Sequence, residues 1–151
     1  MLAAVAERAQ WDTRPSPKRG GTGRGVALAL RGGTYVATVA EVEVDARSGA
    51  VRVKRLVCVH DCGLIVNPGA LRGTIQANLI QSLGRTLKEE VKFDQTHVTN
   101  VDWRSYPVAR WADVPGLENH RSGRLQRRLG MRCSMLRRVP LTPERVKAAL
   151  G

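Results

Sequence analysis

Three residues with metal-ligand chemistry stand two apart at Cys58, His60 and Cys62. On a β-strand the side-chain period of two puts all three on one face, where thiols and an imidazole are suitable zinc ligands. A structural zinc site takes four ligands, and the other candidates, His97, His120 and Cys133, are isolated in the sequence. Small buried thiols closing a strand are the simpler account, and no metal ligand is assigned. Asp61 and Asn67 flank Gly63. Side chains of this kind hold turns by bonding nearby backbone groups. The stretch Gly20 to Gly25, GGTGRG, has neither a strand before it nor the Gly-Lys-Ser/Thr ending of a phosphate loop. No serine–histidine–acid arrangement is identifiable, so no catalytic residue is assigned.

Charge is the next feature with chemical meaning. The formal net charge is +12 over 151 residues. Seven arginines lie between Asn119 and Arg138 with no acid among them, so most of the excess belongs to one short stretch. Such a stretch binds phosphates in a nucleic-acid-binding protein. Here no aromatics are interleaved for base stacking, and no recognition fold is evident. Nucleic acid is therefore the weaker reading of partners, testable by salt-sensitive binding that vanishes when residues 119–138 are deleted. Three cysteines do not make a disulfide framework. No run approaches the roughly 20 apolar residues of a membrane helix. No signal-peptide pattern opens the chain, so the default compartment is the cytoplasm.

The elements that position these residues follow from periodicity. Leu2 to Gln10 reads as a short helix with Leu2, Val5, Ala6 and Ala9 on one face. Asp12 to Gly25 is rich in Pro, Gly and basic residues and reads as a connector. Val26 to Leu30 is short and apolar. Thr34 to Asp45 and Val51 to Val57 alternate around Ala46-Arg47-Ser48-Gly49, which predicts a β-hairpin with Gly49 able to take positive φ. Leu71, Ile75, Leu79, Leu83 and Leu87 predict an amphipathic helix over Leu71 to Glu90, packing one stripe on a sheet. Its Arg85 and Lys88 suit a helix C-terminus, whereas Glu89 and Glu90 do not. Val91 to Asp94 and His97 to Val101 predict a second hairpin. Thr142 and Pro143 suit the start of a short terminal helix. The composition predicts a core of Val, Leu, Ile and Ala, since aromatics are only 4%. The fold expectation is α+β, two antiparallel hairpins packed on a long amphipathic helix.

Five segments carry a resemblance. They are Val36 to Asp45 with Arg52 to Arg55, then Asp61-Cys62-Gly63-Leu64-Ile65-Val66-Asn67-Pro68, and then Ile80 to Val91 with Val101 to Pro107. In this order they resemble the molybdenum-binding large subunit of the xanthine dehydrogenase/aldehyde oxidase family, nearest its isoquinoline 1-oxidoreductase beta-subunit branch. The pattern resumes at Arg137 to Val146. The resemblance implies a partial molybdopterin-binding domain at residues 1–117, an arginine-rich irregular segment at 118–136, and a terminal helix segment at 137–151. It corresponds to the C-terminal part of a much longer subunit.

The resemblance also implies a chemistry, the hydroxylation of N-heterocycles or aldehydes with oxygen from water. The cofactor is a molybdenum–pterin held by contacts to the pterin, and the partners are the rest of the large subunit and an iron–sulfur small subunit. By the same resemblance Thr74, Ile75 and Gln76 are the cofactor-binding candidates. Three departures stand out. Thr74 occupies a position where the family commonly carries a glutamine, and the Glu-Gly pair expected after it reads Gln76-Ala77. The family's base lies in a Gly-Glu-Pro motif, which this sequence lacks. The abrupt arginine-rich interval is what a deletion with a shifted frame, a sequencing error or natural decay would leave. The expectation is an oxidoreductase fragment, inactive alone, not retaining its cofactor alone, or else a docking module for separately encoded pieces.

Overall fold

The computed structural model describes residues 1–11 and 21–121. The expected terminal helix, the connector over 12–20 and the arginine-rich stretch beyond Arg121 lie outside the described residues. Helix α1 (Leu2–Arg8) is followed by strands β1 (Thr22–Arg31), β2 (Thr34–Val44) and β3 (Val51–Asp61). Helix α2 (Pro68–Leu87), a 3-10 turn at Trp111–Asp113 and strand β4 (Gly116–Arg121) are the remaining elements among the described residues. The strands form one sheet in the order β1-β2-β3-β4. The first three pair antiparallel, and β4 runs parallel to β3. The α+β class stands, but the sheet is four-stranded and mixed.

The hairpin between β2 and β3 forms where alternation and the turn residues place it. Asp45 Oδ1 accepts from the backbone N of Arg47 (2.8 Å) and Ser48, and Gly49 sits at φ 74°. The ladder slips between Glu41 and Val42, leaving Lys54 bulged between Val53 and Arg55. Strand β1 reaches further back than the apolar Val26 to Leu30 alone predicts. Thr22 to Gly25 pair with Ala40 to Glu43, so the end of the expected connector is strand. Pairing to a well-formed neighbour overrides the weak strand propensity of Gly23 and Gly25.

One face of the sheet holds the core. Directly paired residues share a face, which groups Val26, Leu28 and Leu30 of β1 with Ala37 and Val39 of β2 and Val57 and Val59 of β3. Val5 and Ala9 pack on Ala37, Val39, Val57 and Val59, all fully or almost fully buried. The short first helix, and not the long second one, therefore closes this core. It leaves Val26, Leu28 and Leu30 of β1 exposed.

The other face of β3 carries Leu56, Cys58 and His60, also buried. Asn119 is paired with Cys58 and donates from Nδ2 to the carbonyl of Arg72 on α2 at 3.4 Å. This bond places α2 over that face beside β4. Only Leu83 and Gly84 of α2 are fully buried, and Leu71, Ile75, Leu79 and Leu87 are half-buried. The leucine stripe is thus partly covered. The helix starts at Pro68 and ends at Leu87, before Glu89 and Glu90, where Lys88 and Glu89 N–H both bond the carbonyl of Gly84 (2.9 Å). Those two acids lie just past the helix end, still near the negative pole of its dipole, and Glu89 Oε2 accepts from the Tyr106 hydroxyl at 3.1 Å.

Two further expectations are corrected. The second hairpin shrinks to one isolated bridge, Phe93 with Val98. A side chain replaces the rest of its ladder: buried Asn100 accepts from Lys92 N (2.8 Å) and donates to Glu90 O (2.5 Å). The irregular segment expected from residue 118 is strand β4 as far as Arg121, because these polar residues complete the open edge of β3.

Candidate functional site

The corner between β3 and α2 is built by side chains bonding backbone. Asp61 ends the strand, and its Oδ1 accepts from Gly63 N at 3.2 Å. Gly63 takes φ 74°, a conformation other residues avoid. Asn67 caps α2, its Oδ1 accepting from Ala70 N at 3.0 Å, with Pro68 at the first helical position. Both polar residues thus do the turn-holding work their types predict.

The C-x-H-x-C pattern is divided by this corner. Cys58 and His60 share a buried face of β3, and Cys62 lies past the strand end. Burial pushes the Cys58 thiol above its ordinary range, with a bond to Thr38 opposing. Burial and the nearby Asp61 carboxylate push Cys62 up as well. Among the described residues no group of three His, Cys, Asp or Glu is placed to hold a metal ion.

Thr74, Ile75 and Gln76 follow one another on α2, so each points about 100° from the next. Thr74 is exposed, and its hydroxyl donates to the carbonyl of Ala70 at 2.9 Å. Ile75 and Gln76 are half-buried. Gly69, Ala70, Gly73 and Ala77 share the exposed side with Thr74, and nothing stands within 4 Å of a Cβ placed on Gly73. That surface is low enough for a flat group to approach the helix backbone. It offers one hydroxyl whose proton is already engaged. That side is open, and the described residues beside it do not enclose a ligand.

A cleft of about 1010 Å³ lies at the opposite end of α2. It is bounded by the start of β3, the residues after Leu87 and the chain from Lys92 to Asp113. Lys88 Nζ meets Asp113 Oδ2 at 2.5 Å across it, and this contact holds the Asp113 carboxyl below its ordinary range. Sequence reasoning did not single it out, since its lining residues come from segments far apart in the chain. The cations Arg52, Lys88, Lys92 and Arg104 were the available signal.

A second ionic cluster stands on the α1 face. Arg55 Nε donates to Glu118 (2.7 Å), Nη1 to Glu41 (3.2 Å) and Nη2 to the carbonyl of Arg8 (3.5 Å). It joins α1, β2, β3 and β4, and the Arg55 bond holds the Glu118 carboxyl below its ordinary range.

Comparison with known proteins gives these features a family. The family model of the molybdopterin cofactor-binding domain matches residues 3–115. A nicotinate dehydrogenase subunit of Pseudomonas putida is 34% identical over 185 aligned positions, covering 100% of this chain and 16% of that protein. The beta subunit of isoquinoline 1-oxidoreductase of Brevundimonas diminuta is 27% identical, covering 76% of this chain and 15% of that protein. Among solved structures, quinoline 2-oxidoreductase of Pseudomonas putida matches with a TM-score of 0.56 and 31% identity, over 59% of this chain and 12% of that one. Aldehyde oxidoreductase of Desulfovibrio desulfuricans matches in fold with a TM-score of 0.60 and 21% identity, over 77% of this chain and 15% of that one. The chain thus spans about a sixth of the length of these relatives. Aligning 185 positions with 151 residues leaves 34 positions of the first relative without a counterpart here. The β3–α2 corner, helix α2 and strands β1 to β3 lie within the matched region, and the chain belongs to the molybdopterin cofactor-binding domain family.

Proposed function

We propose that this chain is one piece of the molybdenum-binding subunit of a molybdenum hydroxylase and that it does not turn over substrate alone. The observation that carries this reading is the family match over residues 3–115 combined with the absence of a Gly-Glu-Pro motif from the sequence. The gap of aligned positions against the nicotinate dehydrogenase relative supports loss of internal sequence. When bound, the molybdenum–pterin supplies an oxidising centre that hydroxylates a carbon of an N-heterocycle or aldehyde. In this reading Thr74, Ile75 and Gln76 form one wall for the pterin, and the remaining walls come from other parts of the subunit. No step of the reaction is assigned to residues of this chain.

Expression in a host that makes the cofactor tests the proposal. The purified chain is expected to carry no stoichiometric molybdenum and to show no dye-coupled oxidation of quinoline, nicotinate or an aldehyde. Molybdenum-dependent turnover by the 151-residue chain would refute it.

A docking role is the second reading, and the uncovered apolar surface favours it. Val26, Leu28, Leu30 and Tyr35 continue the core face beyond α1, while Trp103 and Trp111 are 82% and 89% exposed. Apolar surface of this extent marks a place where more protein packs. Co-expression with a separately encoded remainder of such a subunit is expected to give a complex containing molybdenum and, with the iron–sulfur partner, oxidation activity.

A further inference from the structure

The cleft at the C-terminal end of α2 is lined by apolar residues, by the cations Arg52, Lys88, Lys92 and Arg104, and by the acids Glu90 and Asp113. Val51, Leu87 and Pro107 contribute apolar lining, and Arg52, Lys92 and Arg104 are exposed around it. Among the described residues none of these three cations makes an ion pair, and the Glu90 carboxylate lines the same cleft. Lys88 already answers Asp113, and Glu43, opposite Arg52 in the ladder, pairs with Lys54 at 3.3 Å. The Asp102 carboxylate beside Arg104 is engaged by the backbone N–H groups of Arg104 and Ser105 and by the Ser105 hydroxyl. Among the described residues no carboxylate lies within ion-pair distance of Arg52, Lys92 or Arg104. Asn100 ties two segments of the wall together with both ends of its amide, and the Lys88–Asp113 ion pair joins two more.

A volume of about 1010 Å³ is at the upper end of the range for small-molecule sites, which are mostly apolar with a few convergent polar groups. Three cations without an ion pair beside apolar lining suit a ligand with an apolar body and an anionic head. We propose that this cleft binds a small organic phosphate, with the phosphate held by Arg52, Lys92 and Arg104 and the body resting on Val51, Leu87 and Pro107. Two guanidinium forks and one ammonium match the oxygens of a dianion. The site is independent of the face at Thr74, and it does not rest on the proposed enzyme fragment.

The test uses the full chain at low ionic strength, with phenyl phosphate and inorganic phosphate as probes and backbone amide NMR as the readout. Phenyl phosphate is expected to bind saturably, shifting the amides of Thr99, Asn100 and Ser105, and more tightly than inorganic phosphate. The Arg52→Ala/Arg104→Ala pair should weaken it at least tenfold, with Arg72→Ala, an exposed arginine on α2, as the control. All three arginines are exposed, so circular dichroism should show these variants folded. Shifts confined to the arginines beyond residue 120, equal loss in the Arg72 control, or binding of phenyl phosphate no tighter than phosphate would each overturn the assignment.

Discussion

Val5→Ala is the sharpest probe of how this sheet is held. Val5 is fully buried, and with Ala9 it is the contact through which α1 closes over Ala37, Val39, Val57 and Val59. The substitution removes two methyl groups. At about 0.8 kcal/mol per buried methylene, and with a contribution from the space left behind, the loss should be about 2–3 kcal/mol. A seven-residue helix has no stability of its own, so α1 persists only while it is docked. The loss therefore has a ceiling, the free energy of docking α1. Val5→Asp should cost little more than deleting residues 1–9, because both variants leave the helix undocked. Urea unfolding followed by circular dichroism measures all three. The fluorescence of Trp11, just after the helix, reports undocking separately from global unfolding. A loss below about 0.5 kcal/mol for Val5→Ala would sink the argument, since it would mean that the sheet face is sealed by something other than this helix.

Three other outcomes follow from local geometry. Asn67→Ala removes the acceptor of the Ala70 N–H and should destabilise the chain by about 1 kcal/mol, with Asn67→Asp restoring most of it in the same denaturation assay. Gly33→Ala, at φ 84° with open space around it, should cost about 1–2 kcal/mol. Gly21→Ala should cost clearly more, because at φ 62° its Cβ would also collide with the carbonyl of Val44. Equal losses would refute that difference. Glu118 carries a carboxyl lowered from 4.5 chiefly by its bond to Arg55. A depressed acid contributes stability that is present above its unfolded pKa and lost as pH falls through the folded one. Arg55→Met should therefore weaken the chain at pH 7 by at most about 1 kcal/mol, since the pair is partly exposed, and the gap to the parent should close below pH 4.5. A gap that widens in acid would refute the assignment.

The parts of the fold that were legible in sequence are those whose bonds are local. Alternation through Thr34 to Val44 and Val51 to Asp61 meets at a turn organised by Asp45 and Gly49, so the hairpin could be read without its surroundings. The same holds for the Asp61 and Asn67 turns and for the body of α2. Three features were not legible because distant partners decide them. Thr22 to Gly25 become strand only through β2. Glu118 to Arg121 become strand only through β3, more than fifty residues earlier, with Arg55 binding Glu118. The expected second hairpin has favourable residues, but Asn100 takes over the backbone groups its ladder would need. At the candidate cofactor face, residue type gave the position of Thr74 only through the family pattern. That its hydroxyl donates back to Ala70 is a matter of rotamer, which no spacing rule predicts.

The parallel attachment of β4 carries a consequence for the order in which the chain assembles. β2 and β3 meet across a short turn and need close only a small loop, which hairpins do in about 1–10 μs. β4 must find β3 across an intervening stretch that includes the whole of α2, and the Arg55–Glu118 contact spans 63 residues. Closing a loop of that length is entropically unfavourable before any contact rewards it. During synthesis the edge of β3 must then remain unpaired until the ribosome has released Gly116 to Arg121. Throughout that interval β3 is a strand waiting for a partner, and a cell making this chain at high rate should accumulate misjoined sheets first at that edge.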